Sequence, residues 1–407
     1  MNFIEGGICA AQGFKAAGIH VGVKSHNPDK KDLALIVSDV PCTAAAVFTK
    51  NVVKAAPIHV DMVHLKSGKA RAIIANSGNA NACAPQGEEN AELMCAAAAE
   101  AIGCCADDVL VSSTGVIGQT INIKVIRDGV PVLYDALEAS PEASDAAANA
   151  IMTTDTVKKE VAVETTVGGK TVHMGGIAKG SGMIHPNMGT MLCFLTTDCA
   201  ISSEMIKTAL QETAKVSFNR ISVDGDTSTN DSCIVLANGL AGNAEITEKG
   251  EDYEAFLSAL QLLCKTLAMK MAADGEGAKH LITCTVAGAK SEDSAEIIAK
   301  SVIASNLTKC AIFGADANWG RVLCAMGYSG EEFDPEKVDV HFASAAGDIA
   351  VCEHGRGLPF DEDFAKAILT EHDVEINITM SEGSGVCTCW GCDMTYDYVK
   401  INGDYRT

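Results

Sequence analysis

The sequence is short of positive charge: 31 basic residues stand against 53 acidic ones, a net charge of −22. Such a field repels phosphate backbones and anionic lipid surfaces, so neither nucleic acid nor a membrane is expected as a partner. The first residues, MNFIEGGICAAQGF, lack both a basic n-region and a long apolar h-region, which argues against a signal peptide. No uninterrupted apolar run approaches the length needed to span a bilayer, and the expected location is cytoplasmic. Several catalytic signatures are also missing: H-E-x-x-H, G-x-S-x-G and the Walker P-loop. KGSG at Lys179–Gly182 places its lysine on the wrong side of the glycines for a P-loop. VDGDTSTND offers Asp224, Asp226 and Asp231 in calcium-loop fashion, but it lacks the glycine at loop position six and the glutamate at twelve. There is no internal repeat and no low-complexity tract.

What is present describes a globular chain of two or three domains. It has 407 residues, of which 47% are hydrophobic and 21% charged, enough to build a sizeable core. The 17 cysteines are scattered through apolar runs such as MLCFL and LITCTV, where they read as small buried hydrophobes of a reducing compartment. Cys387, Cys389 and Cys392 form C-x-C-x-x-C, three thiols that could ligate zinc or an iron–sulfur cluster; no fourth ligand is evident nearby, and no metal is expected.

Apolar runs closed by Gly, Ser, Asn or Thr read as strands in the first half: DLALIVSDV, TAAAVFT, KARAIIANSG and DDVLVSSTG. An alanine-rich helix from Ala91 ends at Gly103, and a second follows Ser202 or Ser203 as its cap. A long helix runs from Glu251 towards Ala273, with Phe256, Leu260, Leu263 and Leu267 at helical spacing. The polar stretch 238–252 is the candidate linker or lobe boundary. Strands and helices mix without a strict βαβ rhythm, so the expected class is α+β rather than a doubly wound parallel sheet.

One stretch invites chemistry. KGSGMIHPNMGTMLCFLTTD runs from a loop of glycines and a proline into Thr190 and then an apolar strand. A threonine hydroxyl is a poor nucleophile until a base takes its proton. Cutting Gly189–Thr190 would free an α-amine beside that hydroxyl, with an unperturbed pKa of about 7.7–8.0 suited to general-base work. The same hydroxyl could make the cut by attacking the Gly189 carbonyl. Both reactions pass through an oxyanion that needs positioned donors. Thr114 and Gly115, where VLVSSTGVIG breaks from strand into turn, supply a candidate pair.

Taken together, KGSGMIHPNMGTML, NSGNANAC (76–83), SSTGVIG, MTTDT (152–156), VDGDTSTND, DGEGA, NWGR (318–321) and INGDYRT resemble the ornithine acetyltransferase family, the glutamate N-acetyltransferases of the cyclic arginine pathway. The motifs keep their order from the N-terminal GG-x-x-A-A-x-G-F to Thr407. The resemblance implies a self-cleaved N-terminal-nucleophile enzyme built as a layered αββα sandwich with a smaller second α/β lobe. It implies an α chain, 1–189, and a β chain, 190–407, associated as an α2β2 heterotetramer. Thr190 would be the nucleophile of self-cleavage and catalysis, Thr114 and Gly115 the oxyanion hole. Thr153, Lys179, Thr190, Glu276, Asn402 and Thr407 would contact substrate. The implied reaction is ping-pong: acetyl passes from N2-acetylornithine to Thr190 and then to glutamate, without metal or cofactor, and with acetyl-CoA as a second donor in bifunctional members. Gly189 stands where alanine is common, His185 holds a variable place, Ala315 and Ala317 replace larger residues, and VCTCWGC is unusually rich in cysteine. The alternatives are an N-terminal-nucleophile aminopeptidase or amidase that uses water as acceptor, and a metal- or ligand-binding protein built on the cysteines and the acidic loop.

Overall fold

The computed structural model describes residues 1–24, 27–185 and 191–404. Gly189, Thr190 and Thr407 therefore lie outside the described residues. Along the chain the strands are β1 Asn2–Ile4, β2 Phe14–Ile19, β3 Leu33–Phe48, β4 Lys69–Asn79, β5 Val109–Val116, β6 Lys159–Val167, β7 Lys170–Lys179 and β8 Leu192–Thr197. They continue with β9 Ile221–Ser222, β10 Ser232–Ala237, β11 Leu281–Ala289, β12 Val338–Ser344, β13 Gly347–Glu353, β14 Arg356–Gly357, β15 Asp373–Met380 and β16 Gly385–Cys392. The α-helices are α1 Ala56–His64, α2 Gly87–Ile102, α3 Ile123–Asp135, α4 Pro141–Ile151, α5 Ser203–Val216 and α6 Glu251–Ala273. After them come α7 Glu292–Ala304, α8 Asn306–Phe313, α9 Trp319–Gly327, α10 Glu362–Thr370 and α11 Tyr396–Gly403. The class is α+β, as expected.

The chain forms two compact units. The first comprises 1–180, 186–219 and 227–268; the second comprises 181–185, 220–226 and 269–407. The polar stretch 238–252 lies inside the first unit, where it joins β10 to α6, whereas the chain passes between units within α6 itself. Polar composition reports exposure to water, and a solvated connection has it as readily as a domain junction does.

In the first unit nine strands form one sheet in the order β1-β6-β7-β8-β10-β3-β4-β5, with β2 paired to β3. Alternation along the strands sorts side chains to two faces. Ala34 and Ile36 of β3, Ile73 of β4, Phe194 of β8 and Ile234 of β10 share a core with Ala147, Ala148 and Ile151 of α4. Leu33, Leu35, Ile74 and Val111 turn the other way, onto Met94, Ala98, Ile126 and Val130 of α2 and α3. At the other end of that outer face, Leu263 and Leu267 of α6 lie over Gly176 of β7, where an added Cβ would meet Leu267 at 2.9 Å. Helices thus pack against both faces of this sheet. By length and composition α6 could cross a membrane, yet 56% of its most apolar stretch is buried inside the protein. It is a core helix, apolar because it covers the sheet.

The second unit carries a seven-stranded sheet in the order β14-β13-β12-β15-β11-β16-β9. Ile282, Cys284, Val340, Ile376 and Cys389 on its strands pack against Ile298, Ala299 and Val302 of α7 and Ile368 of α10. Cys387 and Cys389 belong to this core, sulfur to sulfur 4.0 Å apart, while Cys392 lies 3.5 Å from the Lys309 ammonium. Among the described residues no group of three or more His, Cys, Asp or Glu side chains is arranged to hold a metal ion.

Candidate functional site

In the first unit the site is organised around the start of β8. Leu192 pairs with Lys179 of antiparallel β7 on one side and with Ser232 of parallel β10 on the other. The Ser232 N–H donates to the Met191 carbonyl at 2.8 Å. Lys179 and the run Asn230–Asp231–Ser232 therefore flank the strand that begins two residues after Thr190 in sequence.

Asn230 links that run to the candidate oxyanion donors. Its side-chain amide donates to the Ser113 carbonyl at 2.8 Å and to the Ala80 carbonyl at 2.6 Å. Thr114 and Gly115 follow Ser113 at the end of β5, in register with Ser77 and Gly78 of β4. Gly115 has φ +131, and a Cβ there would lie 2.3 Å from the Gly78 carbonyl carbon, so only glycine permits this close approach. The NSGNANAC segment supports the turn. Asn76 accepts the Ser113 hydroxyl at 2.7 Å and donates to the Asn79 carbonyl at 2.9 Å, and the Ser77 hydroxyl donates to the Ala150 carbonyl at 2.8 Å.

Asp155 joins Thr153 to Lys179. Its carboxylate accepts the Thr153 N–H at 3.0 Å, the Gly180 N–H at 2.7 Å and the Lys159 ammonium at 2.5 Å, and it lies 3.9 Å from the Lys179 ammonium. Burial alone would raise this carboxyl. The Lys179 and Lys159 ammoniums outweigh burial and hold it well below the usual carboxylate range. Lys24, which donates to the Met152 carbonyl at 2.7 Å, feels Asp155 and Lys179 too; burial and the neighbouring Lys30 depress its ammonium. Asp32, the other carboxylate near Lys24, accepts the N–H groups of Val21, Gly22 and Lys24. In a chain of net charge −22, this corner gathers an excess of cationic side chains.

Asp231 behaves in the opposite way. It is 1% exposed, and its Oδ2 has no hydrogen-bond partner among the described residues. Burial pushes its carboxyl well above the ordinary range, against the pull of the Ser228 and Thr49 hydroxyls, the Lys179 ammonium and the Met191 N–H. Two aspartates near one lysine are thus held in opposite protonation tendencies by their surroundings.

In the second unit the structure brings Glu276 and Asn402 together. The Asn402 amide donates to Glu276 at 2.6 Å and to the Tyr398 carbonyl at 3.0 Å, one turn back in α11. Glu276 is buried, its N–H donates to the Ser181 carbonyl at 2.9 Å, and Gly182 packs so closely that a Cβ would fall 2.3 Å from the Glu276 carboxyl carbon.

The sequence reading named Thr114, Gly115, Thr153, Lys179, Glu276 and Asn402 but missed Asp155 and Asn230, and it weighed Asp231 only as a calcium ligand. Asp155 lies in MTTDT and the other two in VDGDTSTND. Polar residues bunched beside apolar strand sequence were the available signal.

A model of the ArgJ family matches residues 15–407 of this chain. "Arginine biosynthesis bifunctional protein ArgJ" of Caldanaerobacter subterraneus subsp. tengcongensis is 49% identical over 408 aligned residues, covering 100% of both chains. "Arginine biosynthesis bifunctional protein ArgJ 1" of Clostridium acetobutylicum is also 49% identical, over 97% of this chain and 96% of its own. Among solved structures, ornithine acetyltransferase of Mycobacterium tuberculosis, complexed with ornithine, is 38% identical across 46% of this chain and 98% of its own, with a TM-score of 0.43.

Proposed function

We propose, from the premise that the chain belongs to the ArgJ family, that it transfers acetyl from N2-acetylornithine to glutamate in arginine biosynthesis. Self-cleavage at Gly189–Thr190 would generate the α chain 1–189 and the β chain 190–407, which stay associated as an α2β2 heterotetramer. The observation that carries the reading is the flanking of the first residues of β8 by Lys179 on one side and by the Asn230–Ser232 run, bonded to Ser113, on the other.

In the first half-reaction the Thr190 hydroxyl attacks the acetyl carbonyl and its proton passes to the α-amine of the same residue. The Thr114 hydroxyl and the Gly115 N–H donate to the oxyanion. The C–N bond then breaks, the α-amine returns the proton to the leaving nitrogen, and ornithine departs. Glutamate enters, its amine attacks acetyl-Thr190, and the same steps in reverse release N-acetylglutamate. One amide replaces another, so the exchange requires little driving force.

The substrate α-carboxylate suits the cationic corner, with Lys179 as its ion partner and the Thr153 hydroxyl as a further donor. Glu276, oriented by Asn402, is an acceptor for the ornithine side-chain ammonium. Thr407 is proposed as a further contact. Acetyl-CoA is a second candidate acetyl donor to glutamate. The enzyme is proposed to work in the cytoplasm, with small-molecule substrates and no metal or other cofactor.

The test is paired. Intact mass of the denatured protein reports whether the chain divides after Gly189, and an assay with N2-acetylornithine and glutamate reports transfer. Hydrolysis of acetylornithine that outruns transfer to glutamate would favour an amidase instead.

A further inference from the structure

The segment just upstream of the junction is held by a dense set of bonds within the second unit. The Ser181 hydroxyl donates to the Asp274 carbonyl at 2.6 Å, and the Ser181 carbonyl accepts the Glu276 N–H at 2.9 Å. Two residues on, the Met183 and Ile184 N–H groups donate to the two oxygens of Asp224, at 2.6 and 2.9 Å. The Ile184 carbonyl accepts the Val223 N–H at 2.6 Å, and His185 Nδ1 lies 2.9 Å from the Ser222 hydroxyl. Residues 183–185 therefore run alongside 222–224, which continue edge strand β9.

Asp224 is the centre of this arrangement. Its carboxylate also accepts the Asp226 N–H at 3.2 Å and faces the Tyr398 hydroxyl at 3.4 Å. Hydrogen bonds to a charged acceptor are roughly twice as strong as neutral ones. They act on a backbone that does not hold itself: Met183 has φ +56, a left-handed conformation that a non-glycine residue adopts only with strain. Asp224 takes no part in the chemistry assigned above, and nothing in β9 as a strand requires a carboxylate aimed at two amides of a distant loop.

We infer that Asp224 is a positioning residue for self-cleavage: by gripping the Met183 and Ile184 amides it fixes the upstream arm of the Gly189–Thr190 junction, and after cleavage it keeps the C-terminal tail of the α chain bound to the β chain. The inference rests on the self-cleavage reading. A peptide bond is attacked from within the chain only when its neighbours hold it near the attacking geometry, and misplacement by about 1 Å can cost on the order of 100-fold in rate. Four residues, 185–188, separate Ile184 from Gly189 in sequence.

The experiment follows cleavage of newly synthesised full-length chain by intact mass, for wild type and Asp224→Asn. The amide keeps the shape of the carboxylate but turns an NH2 towards one of the two backbone donors. The expected result is cleavage slowed at least tenfold, with a thermal midpoint within a few degrees of wild type. Hydrogen exchange of the same proteins should show faster exchange at Met183 and Ile184 and none at β11, which a merely global loss of stability would also loosen. A folded Asp224→Asn chain that cleaves at the wild-type rate overturns the inference. Should that variant not fold, Ser181→Ala loosens the same segment: slowed cleavage supports its anchoring role, and the wild-type rate overturns it. A wild-type chain that stays whole refutes the self-cleavage reading beneath, which is a separate outcome.

Discussion

The Lys159 ammonium lies 2.5 Å from the Asp155 carboxylate, and both side chains are fully buried. Buried ion pairs are sustained by geometry and surrounding hydrogen bonds, and removing one partner strands the other in a low-dielectric interior. Asp155→Ala should lower stability by about 3–5 kcal/mol, since it also releases the Thr153 and Gly180 N–H groups. Urea unfolding of the purified protein checks this, and a loss below about 1 kcal/mol would contradict the account.

The same pair sets an acid limit. Asp155 has its carboxyl depressed from the ordinary value of 3.8. A group depressed on folding contributes stability above its unfolded pKa and loses it as pH falls through the folded one. The contribution is therefore complete at neutral pH and declines below about pH 4. Unfolding midpoints measured at falling pH should drop more steeply for wild type than for Asp155→Asn, which has no such proton to take up.

Gly115→Ala and Thr114→Ala should fail differently. The first places a Cβ 2.3 Å from the Gly78 backbone in a conformation with φ +131, a strain of about 1–3 kcal/mol with a similar overpacking cost. It should reduce stability and activity together. The second removes one proposed oxyanion donor from a turn that stays bonded through Ser113, and should lower kcat by about 100–1,000-fold with little change in the melting temperature. Parallel calorimetry and steady-state kinetics separate the two.

Thr190→Ala removes the hydroxyl on which both proposed reactions depend. Mass spectrometry should find one chain of 407 residues, and acetyl transfer should be undetectable. Two chains from this variant would mean that another residue makes the cut.

Lys179→Met keeps an unbranched chain of similar reach without its charge. Loss of the proposed ion partner of the substrate carboxylate should raise KM for N2-acetylornithine and glutamate by about 10–100-fold, the equivalent of one charge-assisted hydrogen bond. An unchanged KM for both would place the carboxylate elsewhere.

Much of the fold is legible in the residues. DDVLVSSTG becomes β5, MLCFL becomes most of β8, and Ser202 caps α5 by accepting the Met205 N–H at 3.4 Å. DLALIVSDV and TAAAVFT read as two strands but form the single β3, Leu33–Phe48. Pro41 stands between them, exposed, where the β3–β4 register shifts between Val37 and Cys42, so the missing N–H interrupts no ladder bond. α3 went unread because Gly129 and Pro131 sit inside it. Packing of Ile126 and Val130 onto the α2 side of the sheet outweighs their poor propensity.

The sequence by itself determined the alternation of its strands, the caps of its helices and the ordered motifs that mark its family, because each of these is written in neighbouring residues. Tertiary structure decided what the aspartates do. Asp155 is held ionised between lysines, Asp231 is buried with an oxygen that no described residue bonds, and Asp224 grips two backbone amides. All three are the same residue in similarly polar surroundings of sequence. Their charge and bonding depend on desolvation and on partners distant in sequence, as Tyr398 is from Asp224 by 174 positions, and those are fixed only when the strands have paired and water has been excluded.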